Sequence, residues 1–404
     1  MARTVVLHRW AIGLSALTLG LTGEQTASMG TVPIIRTVLL HHVASAIAID
    51  GRLGRAFIAT ATTLPSGSPG PGAVVILDPQ TGLLLSTIPV GGTPRSLVVD
   101  TAADTVFVAT DESVSVFDER TGALVHTTSL PRQRDPVLAV DERVGHVVMA
   151  SSAPATGPYT PLQGTVDVFD GRGGARLRTT TLRDGPAALA IDARSDHAFV
   201  SVQALKGNGD IAVFDTVSGR LVRTVPVGVD PRCVAVDTRT GRVFVINSGS
   251  ASVGVLDAGS GTPLAAAPVG ALPWALAVDE QTGRVFVANQ SGPSTVSVLD
   301  ATSGHLLRTV RAGANSTAVA VDARTSRVFV ANGGVLHTSA NINPSAGVSE
   351  LNAASGTPLR TIPLSTAFIP RMVAVDEQAG RALVVSDVLG VSGSSAVSLL
   401  DATQ

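Results

Sequence analysis

The chain has 404 residues, 45% of them apolar and 15% charged, and a formal net charge of −2 at pH 7. That leaves ample apolar surface for a packed core but no basic stripe of the kind a dedicated duplex-DNA binder uses to displace counterions from phosphates. The one cysteine, Cys233, excludes an internal disulfide and a Cys-based zinc site, and is expected to be a buried, inert thiol.

The first segment differs from the rest. Arg3, His8 and Arg9 precede the uncharged apolar run from Ala11 to Leu21, which gives way to the polar stretch TGEQTASMG. This is the layout of a secretory signal peptide, and its apolar run is too short to span a bilayer. Residues 1–30 are therefore expected to be a signal peptide or disordered leader. The expected destination is the periplasm, the cell exterior or the cell surface. Residues 31–404 are expected to form a single domain with no transmembrane span.

The segment IIRTVLL (34–40) follows, and resembles the later stretches LVRTVPV and PLRTIPL. After it a short alternating motif ending in Asp recurs eight times, at Asp50, Asp100, Asp141, Asp192, Asp237, Asp279, Asp322 and Asp376. Each motif leads into a turn and a second alternating stretch, as in RVFVIN (242–247) and RVFVAN (284–289 and 327–332). A loop of varying length follows, then a third stretch ending in Asp or Asn, then a fourth. Alternation with period two marks strands with two distinct faces. A repeat of forty to fifty residues built from four strands suits a propeller blade.

Both hairpin turns of the unit share the spacing Asp-x-x-x-Gly, as at Asp78/Gly82, Asp257/Gly261 and Asp300/Gly304. An Asp side chain accepts hydrogen bonds from backbone N–H groups further along the turn, and glycine takes the positive-φ position that closes it. In the turn after the first strand Asp104, Asp196 and Ser326 stand where other repeats have glycine. Asp tolerates that backbone region; Ser326 has no local explanation in the sequence.

The eighth repeat stops after its third strand, AVSLLDATQ. Pairing it with residues 34–40 would complete the last sheet and remove two open edges. The predicted fold is therefore all-β: an eight-bladed β-propeller of four-stranded antiparallel blades, closed by an N-terminal strand. The units VAVDTRTGRVFVINSGSASVGVLD and LAVDEQTGRVFVANQSGPSTVSVLD resemble the YVTN-type propeller repeat from about residue 34 onward, with Phe-Val-Ala-Asn at 286–289 and 329–332 in the place of its signature tetrapeptide. The resemblance implies the fold and says little about function. It also implies seven blades for many relatives, from which eight is a departure.

Chemistry-bearing residues are sparse. No histidine pair has metal-ligand spacing, no Walker or dinucleotide fingerprint occurs, and no catalytic residue, metal or cofactor is assigned. The informative position lies five residues before each first-strand Asp and reads Ser45, Arg95, Pro136, Ala187, Arg232, Trp274, Thr317 and Arg371. In a propeller these side chains should ring the mouth of the central channel. Arg95, Arg232, Trp274 and Arg371, with Asp135 and Asp230 beside them, could hold an anionic or planar ligand by forked donors and stacking. Alternatively they pack the mouth, with the arginines paired to Asp135, Asp184 or Asp230. Long Gly/Ser/Pro-rich loops between second and third strands (59–73, 150–165, 331–347 and 385–396) belong to the same face, where binding usually resides. The expected function is an exported, monomeric, non-enzymatic propeller that binds a protein partner or small molecule. The alternative is a lactonase-like hydrolase with a metal in the channel, which would need several loop carboxylates to converge.

Overall fold

Alternating apolar residues bounded by Asp and Gly turns fold here as short strands, and the hairpins form as their turn chemistry requires. The computed structural model describes residues 34–64, 69–154, 163–204, 206–291, 294–334, 346–389, 391 and 393–403. The expected leader and parts of all four long loops lie outside the described residues. Among the described residues there are eight four-stranded antiparallel sheets. Blades 1 to 8 are named by their first, innermost strands: Val43–Asp50, Pro94–Asp100, Arg134–Asp141, Gly185–Asp192, Pro231–Asp237, Pro273–Asp279, Ser316–Asp322 and Phe368–Asp376.

The closing strand Ile34–Leu40 pairs antiparallel with Ser395–Asp401, from Ile34 opposite Leu400 to Leu40 opposite Ser395, and so becomes the outermost strand of blade 8. The pair His41–His42 lies in the bend after this strand rather than on it.

The turn grammar is realised in all eight repeats. Each first-strand Asp accepts a backbone N–H from two or three residues on, as Asp50 does from Arg52 at 2.7 Å and Asp376 from Gln378 at 3.0 Å. Gly54, Gly145, Gly241, Gly283 and Gly380 follow with φ between 61° and 75°. Asp104, Asp196 and Ser326 take the same left-handed conformation at φ 54°, 56° and 53°.

Second strands are buried on both faces, whereas fourth strands are largely exposed. Phe57, Phe107, Phe199, Phe244, Phe286 and Phe329 occupy one second-strand position and are fully buried. Packing lies between blades: Phe57, Val74 and Ile76 of blade 1 cluster with Leu97, Val99 and Val108 of blade 2. Leu40, Leu383, Val397 and Leu399 of blade 8 cluster with Ile47, Ile58 and Val75 of blade 1, so the ring is shut by core as well as by backbone pairing. Burying one such side chain is worth roughly 1.5–3 kcal/mol.

Blades are also stapled on the hairpin face. The residue two past the first-strand Asp reaches the next blade: Arg143 Nε donates to Ala193 O at 2.8 Å, Arg194 Nη1 to Thr238 O at 2.6 Å, Arg239 Nε to Glu280 O at 2.6 Å and Arg324 Nε to Glu377 O at 2.6 Å.

Each blade has an irregularity at both edges. Pairing of the innermost strand skips one residue: Ser45, Arg95, Ala187, Arg232, Trp274, Thr317 or Arg371, while in blade 3 the irregularity spans Asp135 and Pro136. Pairing of the outermost strand skips Leu85, Val125, Leu177, Val222, Leu264, Leu307, Leu359 and, on the closing strand, Ile35. All eight outer bulge residues are aliphatic and between 43% and 53% exposed, whereas the inner bulge residue changes chemistry from blade to blade. The outer bulges twist open edges away from intermolecular pairing.

Candidate functional site

A β-bulge leaves one residue unpaired, bends the strand locally and re-aims that residue's side chain. The innermost strands therefore present eight bulge residues as a ring, on the face opposite the Asp hairpins. Adjacent ring positions touch. Ser45 Oγ donates to Pro94 O at 2.8 Å, beside Arg95, and Thr317 Oγ1 donates to Pro370 O at 3.0 Å, beside Arg371. The Arg232 guanidinium carbon lies 4.9 Å from the centre of the Trp274 ring in the next blade.

Each ring arginine meets a carboxylate. Arg95 binds Asp111 with two parallel bonds, Nε to Oδ1 at 2.8 Å and Nη2 to Oδ2 at 3.0 Å. Asp111, followed by the field of Asp135 from the next blade, holds the Arg95 guanidinium above its ordinary pKa against the opposing effect of burial. Arg371 Nε donates to Asp387 Oδ2 at 3.0 Å. Arg232 Nε donates to Asp230 Oδ2 at 2.7 Å, and Asp230 Oδ1 accepts from Gln203 Nε2 at 2.6 Å.

Of the six residues singled out in the sequence, Arg232, Trp274 and Asp230 come together as one cluster. Arg95 and Arg371 stand in blades 2 and 8 with carboxylates the candidate set lacked. Asp135 is exposed and acts on Arg95 through space. Asp111, Gln203 and Asp387 share one repeat position, sixteen residues past the ring residue of their own blade, so counting that offset along the repeats would have found them. Asp230 and its counterpart Leu272 both adopt left-handed backbone, at φ 55° and 51°. Leu272 is 54% exposed, placing an apolar tip two residues before Trp274.

Asp167 and Asp210 lie within third strands. Asp167 is buried, with Thr179 Oγ1 donating to it, and desolvation raises its pKa. Desolvation and then the nearby Asp184 raise that of Asp210. Among the described residues no three of His, Cys, Asp and Glu stand close enough to hold a metal ion, and Asp111, Asp230 and Asp387 are taken up by guanidinium groups. No helix among them is long and apolar enough to cross a membrane.

The Cys233 residue keeps partial exposure while burial of its sulfur pushes the thiol up to about 11.

No family model matches the sequence, and no curated protein does. Solved structures do match in shape. Sqt1 of Saccharomyces cerevisiae superposes with a TM-score of 0.64 at 11% identity, covering 91% of this chain and 99% of that one. BamB from Moraxella catarrhalis gives 0.56 at 13% identity over 90% and 98%. A chain of Kuenenia stuttgartiensis hydrazine synthase gives 0.54 at 16% identity over 77% and 96%. At these identities the likeness is one of fold.

Proposed function

We propose that this is an exported, non-enzymatic propeller of the YVTN-repeat kind, whose bulge-ring face binds a macromolecular partner or a small planar or anionic ligand. The observation that carries the reading is the Arg232–Trp274 stack, with Asp230 and Gln203 behind it and exposed Leu272 beside it. Arginine and tryptophan are the side chains on which binding energy most often concentrates, and here they stand on rigid inner strands. Pairing with carboxylates leaves the ring nearly charge-balanced. It can therefore offer donors and acceptors side by side to a planar group such as a peptide amide or an aromatic ring.

The test is capture of a partner from the secreted or envelope fraction by wild-type protein and by Trp274→Ala and Arg232→Ala. Loss of capture at an unchanged melting temperature supports the reading. Equal capture by all three removes the ring from it. Stoichiometric Ca²⁺ or Zn²⁺ in purified protein would favour the lactonase-like alternative instead.

A further inference from the structure

At the hairpin end of the seams between blades 1 and 2, 2 and 3, and 3 and 4, the residue after the third-strand Asp approaches the first-strand Asp of the preceding blade. In the seam between blades 3 and 4 that residue is Thr216, whose hydroxyl donates to Asp141 Oδ2 at 2.6 Å. In the seam between blades 2 and 3 it is Gly171, where an added Cβ would stand 2.6 Å from Asp100 Oδ2. Other repeats place Ala258, Ala301, Ala353 and Ala402 there. Between blades 1 and 2 the position holds Glu119, and its backbone N–H donates to Asp104 O just as that of Thr216 donates to Asp196 O.

Glu119 is 0% exposed and Asp50, which it reaches, is 2% exposed. Two ionised carboxylates in that position would repel each other out of water. Arg52 bridges them, its Nη2 lying 3.2 Å from Asp50 Oδ2, 3.3 Å from Glu119 Oε2 and 2.5 Å from Asp104 Oδ1. One cation thus serves three carboxylates, and Glu119 Oε1 is buried without a hydrogen-bond partner. The other charges at the cluster do not relieve it. Arg120 is turned to Asp104 at 3.4 Å, and Arg55 Nη1 donates to the backbone carbonyls of Glu119 at 2.5 Å and Arg120 at 3.0 Å. Asp118 accepts from Thr121 and from the backbone of its own turn. The outer side of this seam is a cleft of ≈ 690 Å³ between Ile88 and Gly92 of blade 1 and Thr110, Ser113, Phe117 and Leu124 of blade 2.

We propose that Glu119 is a protonated acid that donates to Asp50 as Thr216 does to Asp141, and that loss of this proton loosens the seam between blades 1 and 2. The hydroxyl in the equivalent seam shows that a donor fits at this place, and a glutamate can be one only as the neutral acid. Burial, then Asp50, push Glu119 from an ordinary 4.5 to about 8. A carboxyl whose folded value lies above its unfolded one contributes stability that is complete below about 4.5 and is lost as pH rises through about 8. The pH of the surroundings thereby sets how firmly blade 1 is held on its blade 2 side.

The experiment compares full-length wild type with Glu119→Gln and Glu119→Ala, the second restoring the residue four other blades use. Denaturant unfolding is measured from about pH 5 to about pH 9, with amide exchange around residues 50–55 and 117–122. Glutamine keeps a donor without a titrating proton. The unfolding constant of wild type relative to either variant should rise about tenfold per pH unit from about pH 5 to about pH 8 and level off above it. Exchange in the seam should quicken as pH rises towards about 8 in wild type only, after correction for intrinsic rates. Infrared spectra should also show a protonated carboxyl in wild type at about pH 7 that Glu119→Gln lacks. Parallel unfolding profiles, or no protonated carboxyl at neutral pH, would overturn the proposal. If glutamine prevents folding, the alanine variant and the infrared band of the wild type still decide it.

Discussion

The Arg232 guanidinium of blade 5 lies over the Trp274 ring of blade 6, 4.9 Å from its centre, while its Nε holds Asp230 at 2.7 Å. Arg95 and Arg371 are likewise held by Asp111 and Asp387, and all three are partly solvent-exposed. Exposed ion pairs contribute little, so Arg95→Ala, Arg232→Ala and Arg371→Ala should each cost less than about 1 kcal/mol. Arg232→Ala should in addition alter Trp274 fluorescence. A sharp fall in melting temperature for any of them would mark that arginine as a structural clamp.

Leu40 is buried in the cluster that joins blades 8 and 1. Leu40→Ala should destabilise the protein by about 2–5 kcal/mol, as large-to-small core changes do. Deleting residues 34–40 should do more, baring the edge of Ser395–Asp401 and promoting aggregation. Light scattering together with thermal melts would detect both. A deletion variant that melts like the parent is the outcome that contradicts closure.

Ser326 occupies a left-handed turn position where five other blades have glycine. Removing its Cβ relieves the strain of that conformation but loosens the unfolded chain. Ser326→Gly should therefore be neutral or stabilising by up to about 1 kcal/mol, read from denaturant midpoints. A clear loss would show that the serine side chain holds the turn.

The Cys233 thiol, pushed up to about 11 by burial, is almost wholly protonated at about pH 8. Alkylation there should be slow in native protein and fast in denatured protein. Rapid native labelling would mean that the seam beside Cys233 opens readily.

The fold could be read in the sequence because its determinants are local and recur eight times. Asp and Gly set the turns, and period-two alternation sets the strands. The kinship of IIRTVLL with later fourth strands makes the closure legible in the sequence. The ring position and the sixteen-residue offset to Asp111, Gln203 and Asp387 can both be reached by counting, but which of these side chains meets a guanidinium cannot. Asp111 and Asp387 lie sixteen residues from Arg95 and Arg371, on another strand or its end, so period-two alternation within one strand does not pair them. Glu119 is a harder case. It sits in an Asp-x-x-x-Gly turn, which reads as solvent-exposed, and only the neighbouring blade covers it. Burial imposed by the next repeat leaves no trace in local pattern.

The antiparallel pairing of Ile34–Leu40 with Ser395–Asp401 also orders events in time. During synthesis residues 34–40 emerge long before residues 395–401 and stay without their mate until every intervening blade has been made. Intermediate blades can assemble as they appear, each on its predecessor, but the seal is the final act. A stalled or prematurely terminated product would be an unsealed arc with two sticky ends, the form that quality-control proteases and chaperones are built to recognise.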